Sequence, residues 1–114
     1  MALKRFVTEM GMGVDVHGSD YTKAAKRAVT DAIRHSSLNF LRALDRSPSD
    51  MEITVKIGVA KPEKVNLASV AEELPYGYVT VETCQGGLNV PSDENSDEIV
   101  IANAAVIVYL AQPD

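Results

Sequence analysis

The sequence is poor in cysteine, in long apolar runs and in positive charge, and each shortage argues against a class of protein. Cys84 is the single cysteine among 114 residues, so no intrachain disulfide can form and a reducing compartment is indicated. No apolar run approaches the roughly 20 residues that a membrane-spanning helix needs. The net charge of −5 disfavours the basic surface that nucleic acids or anionic membranes attract. We therefore predict a cytoplasmic protein with no nucleic-acid or membrane partner.

Signatures of nucleotide binding and serine hydrolysis are also missing. The chain has no Gly-x-x-x-x-Gly-Lys-Ser/Thr loop, and the Gly11-x-Gly13 pair lacks the third glycine of a dinucleotide-binding fingerprint. No serine lies in a Gly-x-Ser-x-Gly elbow. Asp15 and Asp20 would repel a phosphate at the start of the helix that follows them, which disfavours phosphate binding unless a metal bridges it.

What the sequence does contain is an alternation of strand and helix patterns that fits one domain over residues 1–114. Strands are predicted at residues 3–10, 51–60, 78–84 and 99–110, and helices at residues 21–35 and after Asn66. The order is β-α-β-α-β-β. It predicts a two-layer α+β domain with two helices on one face of a four-stranded mixed sheet.

The most regular pattern is the helix that begins at Tyr21. Its apolar residues recur at intervals of three and one, which forms one stripe: Tyr21, Ala24, Ala25, Ala28, Val29, Ala32 and Ile33. Because most of them are alanines, the helix is expected to pack close to its sheet. Ser19 or Asp20 is suited to cap its N-terminus. The other face is either solvated or a surface for an anion or a partner: Lys23, Lys26, Arg27, Thr30, Asp31 and Arg34.

The last predicted strand, residues 99–110, is apolar on both of its faces, which is typical of a strand covered on both sides. Two helices can cover only one face of such a sheet. The strand is therefore central, or another subunit covers its second face, and we predict a homo-oligomer. The polar segment 89–98 before it is predicted to be an exposed hairpin loop.

The residues able to carry chemistry lie between the first strand and the first helix. Asp15 and His17 are two residues apart, and extended backbone would place both side chains on the same side. The pair could share a divalent metal such as zinc, or Asp15 could orient His17 as a general base. In a third, structural interpretation, Asp15 bonds turn amides and His17 is a polar residue at the helix entry.

Further ligand-binding candidates surround this pair: Gly11, Gly13, Gly18 and Asp20. Glycine is favoured where the backbone passes close to another group or takes a positive φ. Asp20 is also the nearest candidate for the third ligand that zinc needs. His35 cannot serve within one protomer, since it would lie about 22 Å from the start of the helix. It could approach His17 only from a neighbouring subunit.

The segment Gly11-Met12-Gly13-Val14-Asp15-Val16-His17-Gly18 resembles the signature of a small family of conserved hypothetical proteins of bacteria and plants. That family is marked by Gly-x-Gly-x-Asp-x-His-Gly near the N-terminus, and all eight positions fit. The resemblance covers nearly the whole chain, including the alanine-rich helix and Leu74-Pro75-Tyr76-Gly77. It brings no assigned function, so it indicates where the site lies.

Two other resemblances concern the fold and the site. Met12-Gly13 before an alanine-rich helix, followed by β-α-β-β, is similar in order to the C-terminal domain of tubulin-like cell-division GTPases. It implies that fold without GTPase activity. The segment 13–17 is similar to the zinc-binding start of the cyclodiphosphate synthase of isoprenoid synthesis, where the aspartate and histidine bind zinc between subunits of a trimer. The later histidine of that zinc site has no counterpart here.

Three functions remain open from the residues alone. The first is a homo-oligomeric small-molecule or metal-binding protein with its site around Asp15, His17 and Asp20. The second is a metal-assisted hydrolase or lyase that acts on a small substrate through Asp15 and His17. The third is a purely structural oligomer.

Overall fold

Two long antiparallel strands form the centre of the sheet in the computed structural model, which describes residues 2–34, 46–74, 77–91 and 97–111. Strand β1 (Leu3–Asp15) pairs along its length with β5 (Glu98–Ala111), with one bulge near its start. Strand β2 (Glu52–Val59) pairs with β5 antiparallel, and β3 (Tyr78–Gln85) pairs with β2 parallel. The strand order is β1-β5-β2-β3, and the short β4 (Leu88–Pro91) also pairs with β5.

Both described helices pack against the same face of this sheet. Helix α1 (Tyr21–Arg34) follows β1, and the short α2 (Leu67–Ala71) contacts both α1 and β3. The predicted stripe of α1 is confirmed: six of its residues are buried and Ile33 packs partly against them. They meet the buried positions of β2, whose alternation was also predicted: Ile53, Val55, Ile57 and Val59. As expected, Asn66 caps α2, accepting a hydrogen bond from the Ser69 N–H at 3.1 Å.

In the part of the chain that the structure describes, the sheet has five strands rather than the predicted four. Asn89–Pro91 belongs to β4, whereas the sequence predicted a hairpin loop there; pairing of Leu88 with Ile101 and of Val90 with Ile99 outweighs the polar composition. Pro91 is tolerated because β4 is short and lies at an edge. The rest of the predicted loop, residues 92–96, lies outside the described residues, as do His35, Pro75 and Tyr76.

Strand β1 is longer than predicted, since it continues through the glycine segment to Asp15 instead of ending at Met10. Its pairing with β5 continues without interruption from Val7 to Asp15, and glycines do not prevent this ladder. Strand β5 is central, flanked by β1 on one side and by β2 and β4 on the other. A central position was one of the two explanations predicted for its two apolar faces. Within the described residues, no helix is both long and apolar enough to cross a membrane.

The face of the sheet opposite α1 and α2, here called the open face, exposes large apolar side chains. Met10 and Met12 of β1 are 71% and 54% exposed, and Leu88 of β4 is 58% exposed. The strand register places all three on this face, with Ile101 of β5 between Leu88 and the β1 strand. The other side of β1 is formed at this point by glycines, so the two faces of the strand differ sharply.

Candidate functional site

The glycine segment of β1 is where helix α1 approaches the sheet most closely. A Cβ atom on Gly11 would overlap backbone atoms of Ala28 and Ala32, and one on Gly13 would overlap those of Ala24 and Ala28. Glycine on the strand and alanine on the helix therefore set this close packing. The sequence predicted that the backbone at these glycines passes close to another group. That group is the backbone of α1.

Asp15, the last residue of β1, is a buried carboxylate that holds the turn and the helix start together. Its side chain is 4% exposed, and Oδ2 accepts a hydrogen bond from the Asp20 N–H at 3.0 Å. Its Oδ1 lies 3.7 Å from Arg27 Nη1 and 4.0 Å from Lys23 Nζ. These two cations compensate the buried charge, which would otherwise be costly. The arrangement matches the structural interpretation of Asp15.

Asp20 caps helix α1, as its position in the sequence indicated. Its Oδ1 accepts a hydrogen bond from the Lys23 backbone N–H at 3.0 Å, which satisfies one of the free amides of the first helical turn. The turn before it contains two residues of positive φ, Gly18 at 90° and Ser19 at 49°. Glycine therefore suits position 18 for conformational reasons, and the strain at Ser19 is offset by hydrogen bonds that Gly18 and Ser19 donate to the residue just before β5.

The acceptor of those hydrogen bonds is Asp97, a residue that the sequence did not single out. The Asp97 carboxylate accepts from the Gly18 N–H at 3.0 Å, from Ser19 Oγ at 3.2 Å and from the Glu98 N–H at 3.0 Å. The bonds from Gly18 and Glu98 lower the pKa of Asp97, with smaller contributions from Ser19 and from the nearby His17. Asp97 thus connects the start of β5 to the turn before α1.

His17 projects into solvent, with a side chain that is 86% exposed, and its Nδ1 lies 3.8 Å from Asp97 Oδ2. Asp15 by contrast is buried beneath α1, so the two side chains occupy different environments. The expectation that they share one side is not met, because β1 ends at Asp15 and the chain leaves the extended conformation in the turn. The carboxylate beside His17 is Asp97.

The metal hypothesis has few ligands available in this arrangement. Among residues 2–34, 46–74, 77–91 and 97–111, no group of three or more His, Cys, Asp or Glu side chains is placed to hold a metal ion. The oxygens of Asp15 already face the Asp20 N–H and two cations. Metal binding at Asp15 and His17 therefore stays a prediction that needs ligands from elsewhere.

A polar groove of about 680 Å³ lies between α1 and the outer edge of β1. It includes two of the predicted ligand-binding residues, Gly13 and Asp20, and the polar face of α1 from Lys23 to Arg34. At its floor, α1 side chains satisfy the free edge of β1: the Met12 N–H donates to Asp31 Oδ2 at 3.0 Å, and Arg27 donates to the Val14 carbonyl at 2.5 Å.

The groove has nearly equal numbers of cationic and anionic side chains, but they differ in whether they are free to bind a ligand. Its lining carboxylates already accept hydrogen bonds: Asp20 from Lys23, Asp31 from Met12, and Glu73 from Thr30. Glu73 also lies 3.5 Å from Lys26 Nζ. Arg34, at the far end of the groove, has no hydrogen-bond or ion-pair partner among the described residues. Lys23, Lys26 and Arg27 also have partners, so Arg34 is the side-chain donor that the groove leaves over among the described residues.

A model of one protein family matches residues 5–108, which is nearly the whole chain. The chain belongs to the Lin0512 family of conserved hypothetical proteins. No curated protein matches it significantly.

A solved structure is similar along nearly the full length of this Lin0512-family chain. It is an FtsZ-like protein of unknown function from Nostoc punctiforme, 39% identical in sequence, with a TM-score of 0.88. The similarity covers 98% of this chain and 99% of the other. This similarity agrees with the α+β fold. It also agrees with the resemblance to tubulin-like cell-division proteins, which the order of the predicted elements had indicated.

The sequence of this Lin0512-family chain indicated where the β1–α1 turn lies, but it did not indicate that Asp97 is hydrogen-bonded to that turn. Asp97 lies in a run of polar residues that gave no signal for one position over another. Only the pairing of Asp15 with Val100, at the far end of the β1–β5 ladder, brings Asp97 to the turn. The edge contacts of Arg27 and Asp31 were missed for the same reason, since both were assigned to a generic polar face.

Proposed function

We propose that the protein is a homo-oligomeric small-molecule-binding protein whose ligand lies in the groove between α1 and the β1 edge. The observation that supports the proposal is the pairing state of the groove. Its carboxylates are engaged by groups of the protein itself, whereas Arg34 is unpaired among the described residues. A ligand that brings an acceptor is therefore favoured over one that brings a donor.

The near balance of charge narrows the class of ligand. Lys23, Lys26, Arg27 and Arg34 line the groove together with three carboxylates, and the buried Asp15 lies beneath two of the cations. With Asp15 counted, four carboxylates already match the four cations, so a ligand with a single negative charge meets the least repulsion, whereas a phosphate or a tricarboxylate would approach several acidic groups at once. We infer a small monoanionic molecule with additional polar groups.

His17 is assigned a contact role in this proposal. The other functional residues of the motif have clear roles in the fold: Gly11 and Gly13 in packing, Asp15 in the turn, and Gly18 in a positive-φ position. Among the described residues, the exposed imidazole makes only the 3.8 Å approach to Asp97. We assign it to contact with a ligand or a neighbouring subunit at the turn between β1 and α1.

The alternative of a metal-assisted hydrolase or lyase receives less support from the geometry. It requires Asp15 and His17 to act on one metal or one substrate, and their side chains lie in different environments. The homo-oligomer is supported by exposed Met10, Met12 and Leu88 on the open face, since a soluble protein rarely exposes such side chains together.

Nuclear magnetic resonance titration of the full-length, ¹⁵N-labelled protein tests the groove. Acetate, lactate and glycine serve as monoanionic or zwitterionic probes, and inorganic phosphate and citrate as more highly charged ones. We expect lactate to shift the backbone amides of Gly13 and Thr30, with little effect at Gly58 on the far part of the sheet. Arg34→Ala should weaken this binding roughly 5- to 10-fold, as loss of a charge-assisted hydrogen bond does.

Lys61→Ala is the matched control, because Lys61 is an exposed cation outside the groove. It should bind the probes as the unmodified protein does. Equal weakening by both variants, or amide shifts spread evenly over the surface, would reject the groove as the binding site.

A further inference from the structure

The outer edge of β1 faces the groove with its backbone between Met12 and Val14. In a strand, the N–H and C=O of one residue point to the same side, and this side alternates along the chain. The Met12 N–H donates to Asp31 Oδ2. The Val14 carbonyl accepts from Arg27 Nη1. The backbone groups of Met12 and Val14 therefore point away from β5, and both residues line the groove.

Two of the four backbone groups on this edge are left over. The Met12 carbonyl and the Val14 N–H have no hydrogen-bond partner among the described residues. They lie on either side of Gly13, whose own N–H and C=O point to β5. The groove thus offers one backbone acceptor and one backbone donor at adjacent positions.

An acceptor and a donor in this order suit one residue of a chain that runs parallel to β1. In a parallel ladder, a residue uses its own N–H and C=O to bond the two residues that flank its neighbour. The ladder cannot continue in either direction here, because Asp31 occupies the Met12 N–H and Arg27 occupies the Val14 carbonyl. The edge therefore accommodates a single amino-acid unit, whereas an extended peptide would need the occupied groups as well.

The two flanking side chains carry charges in the order that a free α-amino acid requires. An ammonium group that donates to the Met12 carbonyl would lie beside the Asp31 carboxylate. A carboxylate that accepts from the Val14 N–H would lie beside the Arg27 guanidinium. The reverse orientation would place like charges next to each other at both ends.

The same register indicates where the side chain of such a ligand would lie. Residues that are neighbours across two strands project to the same face of the sheet. The ligand would be the neighbour of Gly13, and that face of Gly13 is turned to α1. The cations that line the groove lie on α1, so an acidic side chain would be directed toward them: Lys23, Lys26, Arg27 and Arg34.

We propose that the groove binds an α-amino acid with an acidic side chain, whose ammonium and α-carboxylate bond Met12 and Val14 as one residue of a parallel strand. The inference rests on the proposed function, because a single net negative charge is what the groove accepts with least repulsion. Two carboxylates and one ammonium give the ligand that net charge. The ammonium beside Asp31 is the group that this inference adds.

Nuclear magnetic resonance titration of the full-length, ¹⁵N-labelled protein with L-glutamate and glutarate tests the proposal. Both probes have two carboxylates, and only L-glutamate has the ammonium. L-Glutamate should bind roughly 10-fold more tightly than glutarate, as the gain of a charge-assisted hydrogen bond predicts. It should also move the Val14 amide proton downfield and slow its exchange with solvent, because that N–H gains an acceptor.

Asp31→Asn removes the charge beside the ammonium and keeps an oxygen that can accept from the Met12 N–H. It should weaken binding of L-glutamate roughly 10-fold and binding of lactate much less. Glu63→Gln is the matched control, because Glu63 is an exposed carboxylate outside the groove, and it should bind L-glutamate as the unmodified protein does. If Asp31→Asn fails to fold, the comparison of the two probes in the unmodified protein decides.

The outcomes separate this inference from the function on which it rests. Equal affinity for L-glutamate and glutarate, or a Val14 amide proton that does not move, overturns the amino-acid ligand. The groove would still be supported in that case if lactate shifts the amides of Gly13 and Thr30. If no probe shifts those amides, the proposed function and this inference fail together.

Discussion

Gly11 and Gly13 show how a motif residue can serve packing at a place where a ligand was expected. Each sits where backbone atoms of α1 occupy the space that a side chain would need. The backbone of a helix cannot move aside as the end of a flexible side chain can. The requirement for glycine at these positions is therefore steric, and the consequence of replacing either one falls on stability.

Gly13→Ala tests this point directly. Its Cβ would overlap backbone atoms of Ala24 and Ala28, so we expect a loss of about 2–4 kcal/mol in the free energy of unfolding, measured by urea denaturation. Gly58→Ala is the control, because Gly58 also lies in a strand but its added Cβ would have no atom nearer than 3.5 Å. Equal losses in the two variants would contradict the packing role.

Asp97 makes part of the stability dependent on pH. Its folded-state pKa is lowered by the N–H groups of Gly18 and Glu98, so its contribution is fully present above the usual carboxyl pKa and is lost as the pH falls through the lowered value. Asp97→Asn should remove this part of the acid dependence, so the melting temperatures of variant and unmodified protein should converge between about pH 5 and pH 2.

Glu82→Gln is the control for that pH series, since Glu82 is an exposed strand residue of the same charge type. It should leave the difference in melting temperature between neutral and acid pH unchanged. If Asp97→Asn also leaves that difference unchanged, the hydrogen bonds from the turn do not stabilise the charged carboxylate in solution.

Among the elements, helix α1 depends most on its small residues. Ala28 is completely buried between Gly11 and Gly13, where no larger side chain fits. Ala28→Arg would bury an unpaired charge and should prevent soluble folding, at a cost of several kcal/mol. Ala68→Arg, at an exposed alanine of α2, should remain soluble, and the comparison requires only expression and circular dichroism.

The elements that sequence reasoning predicted best are those with a strong internal period. The stripe of α1, the alternation of β2 and the Asn66 cap of α2 each depend on residues close in sequence. The extension of β1 and the existence of β4 depend instead on pairing with β5, which lies far away in the chain. Glycines and polar residues in those segments pointed locally to a turn and a loop.

At the scale of the whole molecule, the predicted two-layer α+β arrangement holds, with one strand more than expected. The turn could be located from sequence because its residues are consecutive. The hydrogen-bond partner of the turn could not be predicted, because Asp97 reaches the turn only through the register of the β1–β5 ladder. The groove likewise depends on where Arg27 and Asp31 meet the strand edge.

The contacts of Arg27 and Asp31 with β1 also bear on how the protein behaves at high concentration. An unpaired strand edge offers a template on which the extended chain of another molecule can add and begin an aggregate. Here the Met12 N–H and the Val14 carbonyl are occupied by two side chains one helical turn apart. An incoming strand must displace both charged groups, so the intact helix protects this part of the edge from aggregation, and loosening of α1 would remove that protection before the sheet itself unfolds.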